Sequence, residues 1–105
     1  MLRIYEDMLS AIATMRPMVD AIERRDADLG RQLRRAASSV VLNLAEGSGS
    51  SGRVRLARYR TALGSARETL ACLRTAEAFG YVTGVGQTLM ADMNKVIGTL
   101  VRVAA

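Results

Sequence analysis

The chain has 105 residues, half of which are apolar, and it carries a net charge of +5 at pH 7. This length fits one domain and is too short for two, so we expect a single domain over residues 1–105. Histidine is absent and only one cysteine is present, which excludes histidine-dependent catalysis or metal binding and also an internal disulfide.

The first predicted helix spans about residues 2–24. Pro17 lies inside it, and because proline removes a backbone donor we expect a bend near residues 14–16 of one continuous helix. The apolar side chains recur at alternating spacings of three and four, which indicates a seam between packed helices. These side chains are Tyr5, Met8, Ile12, Met15, Val19 and Ile22.

The second predicted helix spans about residues 28–46, and Asp26 or Asp28 is expected to cap its first turn with a carboxylate oxygen. Gly47 is expected to end this helix in the left-handed conformation. Residues 48–52 are all serine or glycine and predict a flexible loop. The core stripe is predicted to consist of Leu29, Leu33, Ala37, Val40 and Leu44.

The third predicted helix spans about residues 53–79 and ends at Gly80. Its inner face is predicted to be Leu56, Leu63, Ala66, Leu70 and Leu73. The fourth predicted helix spans about residues 87–103 and carries two apolar stripes. The first stripe is Leu89, Met93, Val96, Leu100 and Val103, and the second is Met90, Ile97 and Val101.

A helix that is apolar over more than half its circumference, like the fourth, needs burial on two sides. We therefore expect it to contact the other helices on one side and another subunit on the other. Four helices with short connections predict an all-α fold, namely an antiparallel up-down-up-down four-helix bundle. No apolar run approaches the roughly 20 residues that span a bilayer. With no signal peptide and a lone Cys72, we expect a cytoplasmic protein without a membrane partner.

The sequence favours a binding protein over an enzyme. Gly47, Gly49 and Gly52 superficially resemble a phosphate-binding loop, but no strand is predicted before them and no Lys-Ser/Thr pair follows. The absence of histidine excludes the Glu-x-x-His pairs of di-iron bundles. Cys72 is expected to be a small buried apolar side chain. We expect no catalytic residue, no metal ion and no cofactor.

Two clusters of arginine are candidates for nucleic-acid contacts, because arginine matches phosphate groups well; the alternative is an ordinary solvated surface. Cations at a helix N-terminus are unfavourable, so an anionic partner would stabilise the first cluster; alternatively, some of its members pair with Glu46 or with a neighbouring subunit. The first cluster is Arg53, Arg55, Arg58 and Arg60. The second is Arg24, Arg25, Arg31, Arg34 and Arg35, and acidic residues interleaved with it are expected to neutralise it in part.

Polar residues also line the second predicted helix. Gln32 and Asn43 are eleven residues apart and project in nearly the same direction beside the core stripe, with Ser39 and Glu46 near them. Half-buried amides of this kind fix the register of helices or cap a neighbouring loop. We expect a structural role for Gln32, Asn43 and Glu46 rather than a role in ligand binding.

Two segments resemble a known bacterial family. The first comprises residues 32–40 followed by Asn43-Leu44-Ala45-Glu46-Gly47; the second comprises residues 62–65, Glu68 and Gly80-Tyr81. Together they resemble the "four helix bundle protein" family, which was first known from open reading frames in 23S rRNA intervening sequences. The accessory variability proteins of diversity-generating retroelements belong to that family too. The resemblance covers about residues 22–81.

The resemblance implies a homopentameric barrel of four-helix bundles. For the retroelement branch it also implies nucleic-acid binding and association with a reverse transcriptase. In that family an acidic residue and Phe are usual at the start of the third helix. In this chain the stretch reads Arg53-Val54-Arg55-Leu56-Ala57-Arg58-Tyr59-Arg60. We therefore hypothesise a basic, non-enzymatic oligomer that binds RNA or DNA through the backbone. Few aromatic residues limit base stacking, so low sequence specificity is expected. The alternative is an oligomeric scaffold for a protein partner.

Overall fold

The computed structural model describes residues 2–105, and over these residues it contains four α-helices and no strand. The helices are α1 (Ile4–Arg25), α2 (Ala27–Ser48), α3 (Gly52–Ala78) and α4 (Gln87–Val103). Each predicted boundary lies within two residues of the observed one. The all-α prediction is confirmed. The helix α1 continues through the exposed Pro17 as one helix, and the expected bend stays a prediction.

A single apolar core receives side chains from all four helices. The seam predicted on α1 lies in it, with Tyr5 and Ile12 half-buried at its edge. On α4 the predicted stripe is buried except for Val103, which is 37% exposed, and Ala104 is buried instead. The largest fully buried apolar side chains are Met8, Met15, Ile22, Leu33, Leu44, Leu73, Leu89, Met93 and Leu100.

The inner face of α3 differs from the predicted one. Leu56, Leu63 and Leu70 are only half-buried. The buried side chains of α3 are mostly small: Tyr59, Ala62, Ala66, Thr69, Cys72, Leu73 and Ala76. Small side chains allow helix axes to approach closely, so the leucines lie at the flanks of the contact. The buried hydroxyl of Thr69 donates to the carbonyl of Ser65 at 2.8 Å, which satisfies it within the helix.

The connections between helices are short. Asp26 alone joins α1 to α2, and its carboxylate accepts a hydrogen bond from the Leu29 amide at 3.0 Å, as predicted for a capping aspartate. At the end of α3, Gly80 has a φ of 76°. Its amide donates to Glu77 and the amide of Tyr81 donates to Ala76, at 3.0 and 2.9 Å. This is a Schellman motif, so the predicted helix end at Gly80 is confirmed.

The predicted left-handed stop at Gly47 is wrong, because Gly47 is helical and α2 continues to Ser48. Gly47 serves a different purpose: a Cβ placed on it would lie 2.7 Å from Cδ1 of Tyr59. The glycine is required by this close approach of the Tyr59 ring and not by its backbone conformation. Residues 49–51 connect α2 to α3.

The four helices pack as a closed ring of neighbours, in which α2 contacts α1 and α3, and α4 contacts α3 and α1. Two contacts show how their ends meet. The side chain of Arg55 near the start of α3 reaches Gly47 near the end of α2, and Arg60 reaches Ala104 just after α4. Between residues 2 and 105, no helix combines the length and the apolar character needed to cross a membrane.

Candidate nucleic-acid interface

The α3 arginine cluster, which we define as Arg53, Arg55, Arg58 and Arg60, lies against the ends of neighbouring helices. The Nε of Arg55 donates to the Gly47 carbonyl at 3.0 Å, and one of its terminal nitrogens lies 3.4 Å from the Ser48 carbonyl. The last carbonyls of a helix have no partner within it and carry partial negative charge. Because α2 has no basic residue in its last turn, Arg55 of α3 supplies this cation.

Arg60 contacts the end of α4, which also has Arg102 in its own last turn. Its Nε donates to the carbonyl of Ala104, the residue that follows α4, at 3.2 Å. Arg58 forms an ion pair with Glu46 at 3.0 Å, which is the alternative expected from the sequence. The unfavourable placement of cations at the α3 N-terminus is therefore compensated within the chain, and an anionic partner is not needed for that purpose.

Arg53 differs from the other three members of the cluster. It is exposed, and among residues 2–105 it has no hydrogen bond or ion pair. Arg55, Arg58 and Arg60 are also exposed, so parts of their guanidinium groups stay accessible while their contacts hold them in place. Arginines that are ordered before binding lose less conformational entropy when they contact phosphate.

The second cluster is partly neutralised, as predicted. Arg31 pairs with Asp28, and Arg34 pairs with Glu23, with the Arg34 Nε 3.1 Å from Oε1 of Glu23. The hydrogen bond from Arg34 to Glu23 raises the pKa of this guanidinium, and the charges of Glu23 and, more weakly, Asp20 act in the same direction. Arg35 forms no such pair among the described residues.

Arg35 lies in a shallow cleft between α2 and α3, which we call the polar cleft. Its volume is about 400 Å³, and the residues that line it are Gln32, Arg35, Ala36, Ser39, Ser65 and Glu68. The α2 members follow a spacing of three and four, which places them on one face of the helix. Arg35 and Glu68 have opposite charge, and each is exposed at this cleft without an ion-pair partner in residues 2–105.

One hydrogen bond at the polar cleft joins α2 to α3, and a second one lies within α2. The hydroxyls of Ser39 and Ser65 are 2.7 Å apart, and the amide nitrogen of Asn43 donates to the Ser39 carbonyl at 2.9 Å. Asn43 is half-buried, as expected for a structural amide. Gln32 is exposed, so the expectation that it is half-buried is wrong. Glu46 has its structural contact with Arg58.

Ser65 and Glu68 were not among the site residues singled out from the sequence. The sequence does contain a pattern that groups them. Ser65 and Glu68 lie three residues apart on α3, on a helix face adjacent to the buried Ala62 and Ala66. Recognising it requires the correct inner face of α3, which the leucine pattern did not predict. Over residues 2–105, no three Asp, Glu or Cys side chains converge as they would around a metal ion.

The model of the family described as "23S rRNA-intervening sequence protein" matches residues 2–102. The chain belongs to this family. The match extends beyond residues 22–81 and reaches into all four helices. Comparison with curated proteins and with solved structures gives no match.

Several residues of the two sequence signatures meet in the structure. Gln32, Arg35 and Ser39 of the first signature meet Ser65 and Glu68 of the second in the polar cleft. Gly80-Tyr81 forms the Schellman end of α3. The signatures therefore describe one helix–helix contact and one helix end.

Proposed function

We propose that this intervening-sequence protein is a non-enzymatic, homo-oligomeric four-helix bundle of the cytoplasm that binds the phosphate backbone of RNA or DNA with low sequence specificity. The observation that carries the proposal is the α3 arginine cluster. Its members are exposed, three of them are held in place by the rest of the chain, and Arg53 is unpaired among the described residues. A family whose name refers to an insertion in ribosomal RNA is compatible with an RNA-associated role.

An antiparallel up-down-up-down arrangement of the helices supports this placement of charge. Ser39 lies opposite Ser65 while Gly47 lies opposite Arg55, so position rises along α2 as it falls along α3. The contact of Arg60 with Ala104 brings the start of α3 to the end of α4. In this arrangement the arginines at the start of α1, at the start of α3 and at the end of α4 lie at one end of the bundle. They are Arg3, Arg53, Arg55, Arg58, Arg60 and Arg102.

Repetition of this end in a symmetric assembly extends the proposal. Each chain carries +5, so a pentamer multiplies both the charge and the number of phosphate contacts. Binding that depends on many phosphate contacts is strongly weakened by salt. Val101 and Val103 are 44% and 37% exposed on α4. They provide apolar surface for the proposed contact between subunits.

A fluorescence-anisotropy titration with labelled RNA and DNA at about 50 and 200 mM salt tests the proposal. We expect binding at the lower salt and a linear fall of log K with log salt concentration. No binding at the lower salt, or binding that is insensitive to salt, would contradict the proposal.

Two paired variants locate the interface. Arg53→Gln with Arg58→Gln removes two charges from the α3 arginine cluster, and Arg16→Gln with Arg67→Gln removes two exposed charges elsewhere. We expect the first pair to weaken binding about tenfold and to lower the salt slope by about two, whereas the control pair changes both much less. The exposed Arg58–Glu46 ion pair contributes little to stability, so the first pair should still fold and assemble. Equal effects of the two pairs would contradict the assigned interface.

An oligomeric scaffold for a protein partner is the second candidate function. The observation that favours it is the exposure of two apolar side chains, Leu42 at 60% and Val54 at 55%. Val54 lies next to Arg53, so an acidic protein with an apolar contact would fit the same surface. Capture of such a partner after complete nuclease digestion, without nucleic-acid binding in the titration, supports this function instead.

A further inference from the structure

Phe79 is the most exposed large apolar side chain of residues 2–105, with 66% of its surface accessible. It follows α3 directly, at the position that caps this helix. Burying a Phe side chain contributes about 1.5–3 kcal/mol to stability, and most of this contribution is absent here. An aromatic ring left in solvent at a helix end is therefore a candidate for contact with a partner.

Phe79 is not an isolated ring. It stacks on Tyr81, with ring centroids 5.4 Å apart and planes 13° from parallel. We call this pair the aromatic platform. Two of the four aromatic side chains of the protein are thus brought together by the turn at Gly80, although the sequence alone gave no reason to group them.

Tyr81 is fixed from several sides. Its amide is bound in the Schellman motif at the end of α3, and its hydroxyl lies 3.4 Å from a carboxylate oxygen of Asp26, the residue that joins α1 to α2. The guanidinium carbon of Arg25 lies 5.6 Å from the centre of the Tyr81 ring. Because Tyr81 is held in this way, Phe79 rests on an ordered support and presents its remaining surface to solvent.

The charges around the aromatic platform favour an anionic partner. Asp28 pairs with Arg31 and Glu77 pairs with Arg74. Asp26 accepts hydrogen bonds from the neutral Leu29 amide and Tyr81 hydroxyl and keeps its negative charge. Arg25 lies over the Tyr81 ring, and neither Arg25 nor the exposed Arg24 that precedes it in the sequence has an ion pair among the described residues. With Arg24 and Arg25 set against the one carboxylate without an ion pair, Asp26, this end of α1 keeps an excess of positive charge.

Building on the nucleic-acid binding proposed above, we propose that the aromatic platform stacks an unpaired base of a single-stranded nucleic acid while Arg24 and Arg25 contact the adjacent phosphates. Aromatic side chains bind bases of any sequence through their π-faces, and arginines neutralise the backbone. In a duplex the base faces are covered by their neighbours, so the platform selects single strands. It lies at the opposite end of α3 from the α3 arginine cluster.

Four labelled probes of about 12 nucleotides test this inference by fluorescence anisotropy with the full chain. They are a single-stranded RNA, a single-stranded DNA, a duplex of the same sequence, and an abasic strand with the same number of phosphates. We expect the single-stranded RNA and the single-stranded DNA, which carry bases, to bind more tightly than the abasic strand. Stacking does not need the 2′-hydroxyl, so RNA and DNA are both expected to bind.

Three substitutions of Phe79 separate stacking from apolar contact. Phe79→Ala is expected to weaken binding of the base-bearing strands about 5- to 150-fold, the range for losing one base–aromatic stack, and to leave the abasic strand unaffected. Phe79→Leu keeps an apolar side chain without a flat ring and should behave like Phe79→Ala. Phe79→Trp should restore tight binding. The exposure of Phe79 makes all three compatible with folding, which circular dichroism checks.

Each other outcome has a distinct meaning. If the wild-type protein binds all four probes equally, or if Phe79→Leu binds as the wild type does, stacking is refuted while backbone binding stands. If the wild type binds no probe at about 50 mM salt, both proposals fail. If Phe79→Ala and Phe79→Leu instead reduce the mass of the assembly, the ring is covered by another subunit and the proposed base contact is overturned.

Discussion

The contact between Gly47 and Tyr59 shows how one residue controls the approach of two helices. Gly47 is helical and buried, and the Tyr59 ring occupies the space that any other side chain would need. Tyr59 is itself buried, with 7% of its surface exposed, so its ring cannot swing away freely. A helical glycine normally costs stability relative to alanine, and here that cost is offset by packing.

We expect Gly47→Ala to lower the free energy of unfolding by about 1–3 kcal/mol, the usual cost of overpacking a tight contact. Gly64→Ala is the matched control, since it is also in a helix but nothing lies within 4 Å of the added methyl group. It should stabilise the protein by about 0.5–1 kcal/mol, because alanine favours helix. Urea unfolding measures both. Similar effects of the two substitutions would contradict the role assigned to the Tyr59 contact.

The thiol of Cys72 is expected to make the free energy of unfolding depend on pH. Burial raises the pKa of its thiol, and the negative charge of Glu68 adds to this effect. Since the folded protein holds the proton more tightly than the unfolded chain does, this stabilisation is complete below about pH 8.5, the ordinary value for cysteine. It is lost as the pH rises through the folded-state pKa.

We therefore expect the wild-type protein to lose more stability than Cys72→Ala between about pH 7.5 and 9.5. Other groups titrate in both proteins and cancel in the comparison. Urea unfolding of both proteins at the two pH values measures the difference. An equal loss in the two proteins would show that the Cys72 thiol is not held protonated by the fold.

At the scale of helices, the arginines of α3 act on neighbouring helix ends. Arg55 reaches the last carbonyls of α2, which has no basic residue of its own there, and Arg60 reaches the end of α4. A cation close to a helix C-terminus is stabilising, whereas the same cation at an N-terminus is not. The position of these arginines in sequence is thus unfavourable for α3 and favourable for its neighbours.

We expect Arg55→Ala to lower the free energy of unfolding by about 0.5–1.5 kcal/mol, the net value of a typical hydrogen bond. Arg53→Ala removes the same charge two residues away and should leave stability within about 0.5 kcal/mol. Thermal or urea unfolding distinguishes them. The reverse ranking would mean that charge repulsion at the α3 N-terminus outweighs the contact with α2.

The same helices show what the sequence predicts and where it fails. The spacing of apolar residues is strong along α1 and α4, and glycine, serine and aspartate mark the connections, so four helices were predictable within two residues. On α3 the largest apolar residues misled. Leu56 and Leu63 were predicted inside, but alanines form the contact, because closeness of packing is a property of two helices and cannot be read from one.

The candidate site was predictable only in part for a related reason. Arg53 and Arg55 are alike in sequence, yet one is unpaired among the described residues and the other binds the end of α2. Their difference depends on which carbonyls come near them, and this is set by the packing of α2 against α3. The stacking of Phe79 on Tyr81 likewise depends on the turn at Gly80 and has no signal in spacing alone.

At the scale of the whole molecule, the bundle is elongated, with extents of 42, 25 and 20 Å and a radius of gyration of 13.5 Å. Its stability is limited by size, since a domain of this length buries only about 60–65% of its unfolded surface. Burial of the apolar side chains that remain exposed on α4 would therefore add to the stability of the protein. Val101 belongs to the second apolar stripe predicted on α4, and it is 44% exposed.

We expect the protein to have a solution mass about five times the 11.3 kDa of one chain and Val101→Glu to reduce this mass without loss of helicity, because a buried charge without a partner is costly. Leu42→Glu, at an exposed apolar position of α2, should leave the mass unchanged. Light scattering with circular dichroism measures both properties. Loss of assembly on Leu42→Glu alone would place the interface on α2 instead.

The single residue between α1 and α2 has a consequence for the order of folding. A connection of one residue closes at small entropic cost, and so does the short link at residues 49–51, whereas α4 follows the longest connection and must also meet α1 across the whole chain. We expect α4 to dock last and to detach first in native fluctuations. A subunit that covers the outer side of α4 would stabilise the helix that detaches most easily. Assembly of the subunits would then complete folding.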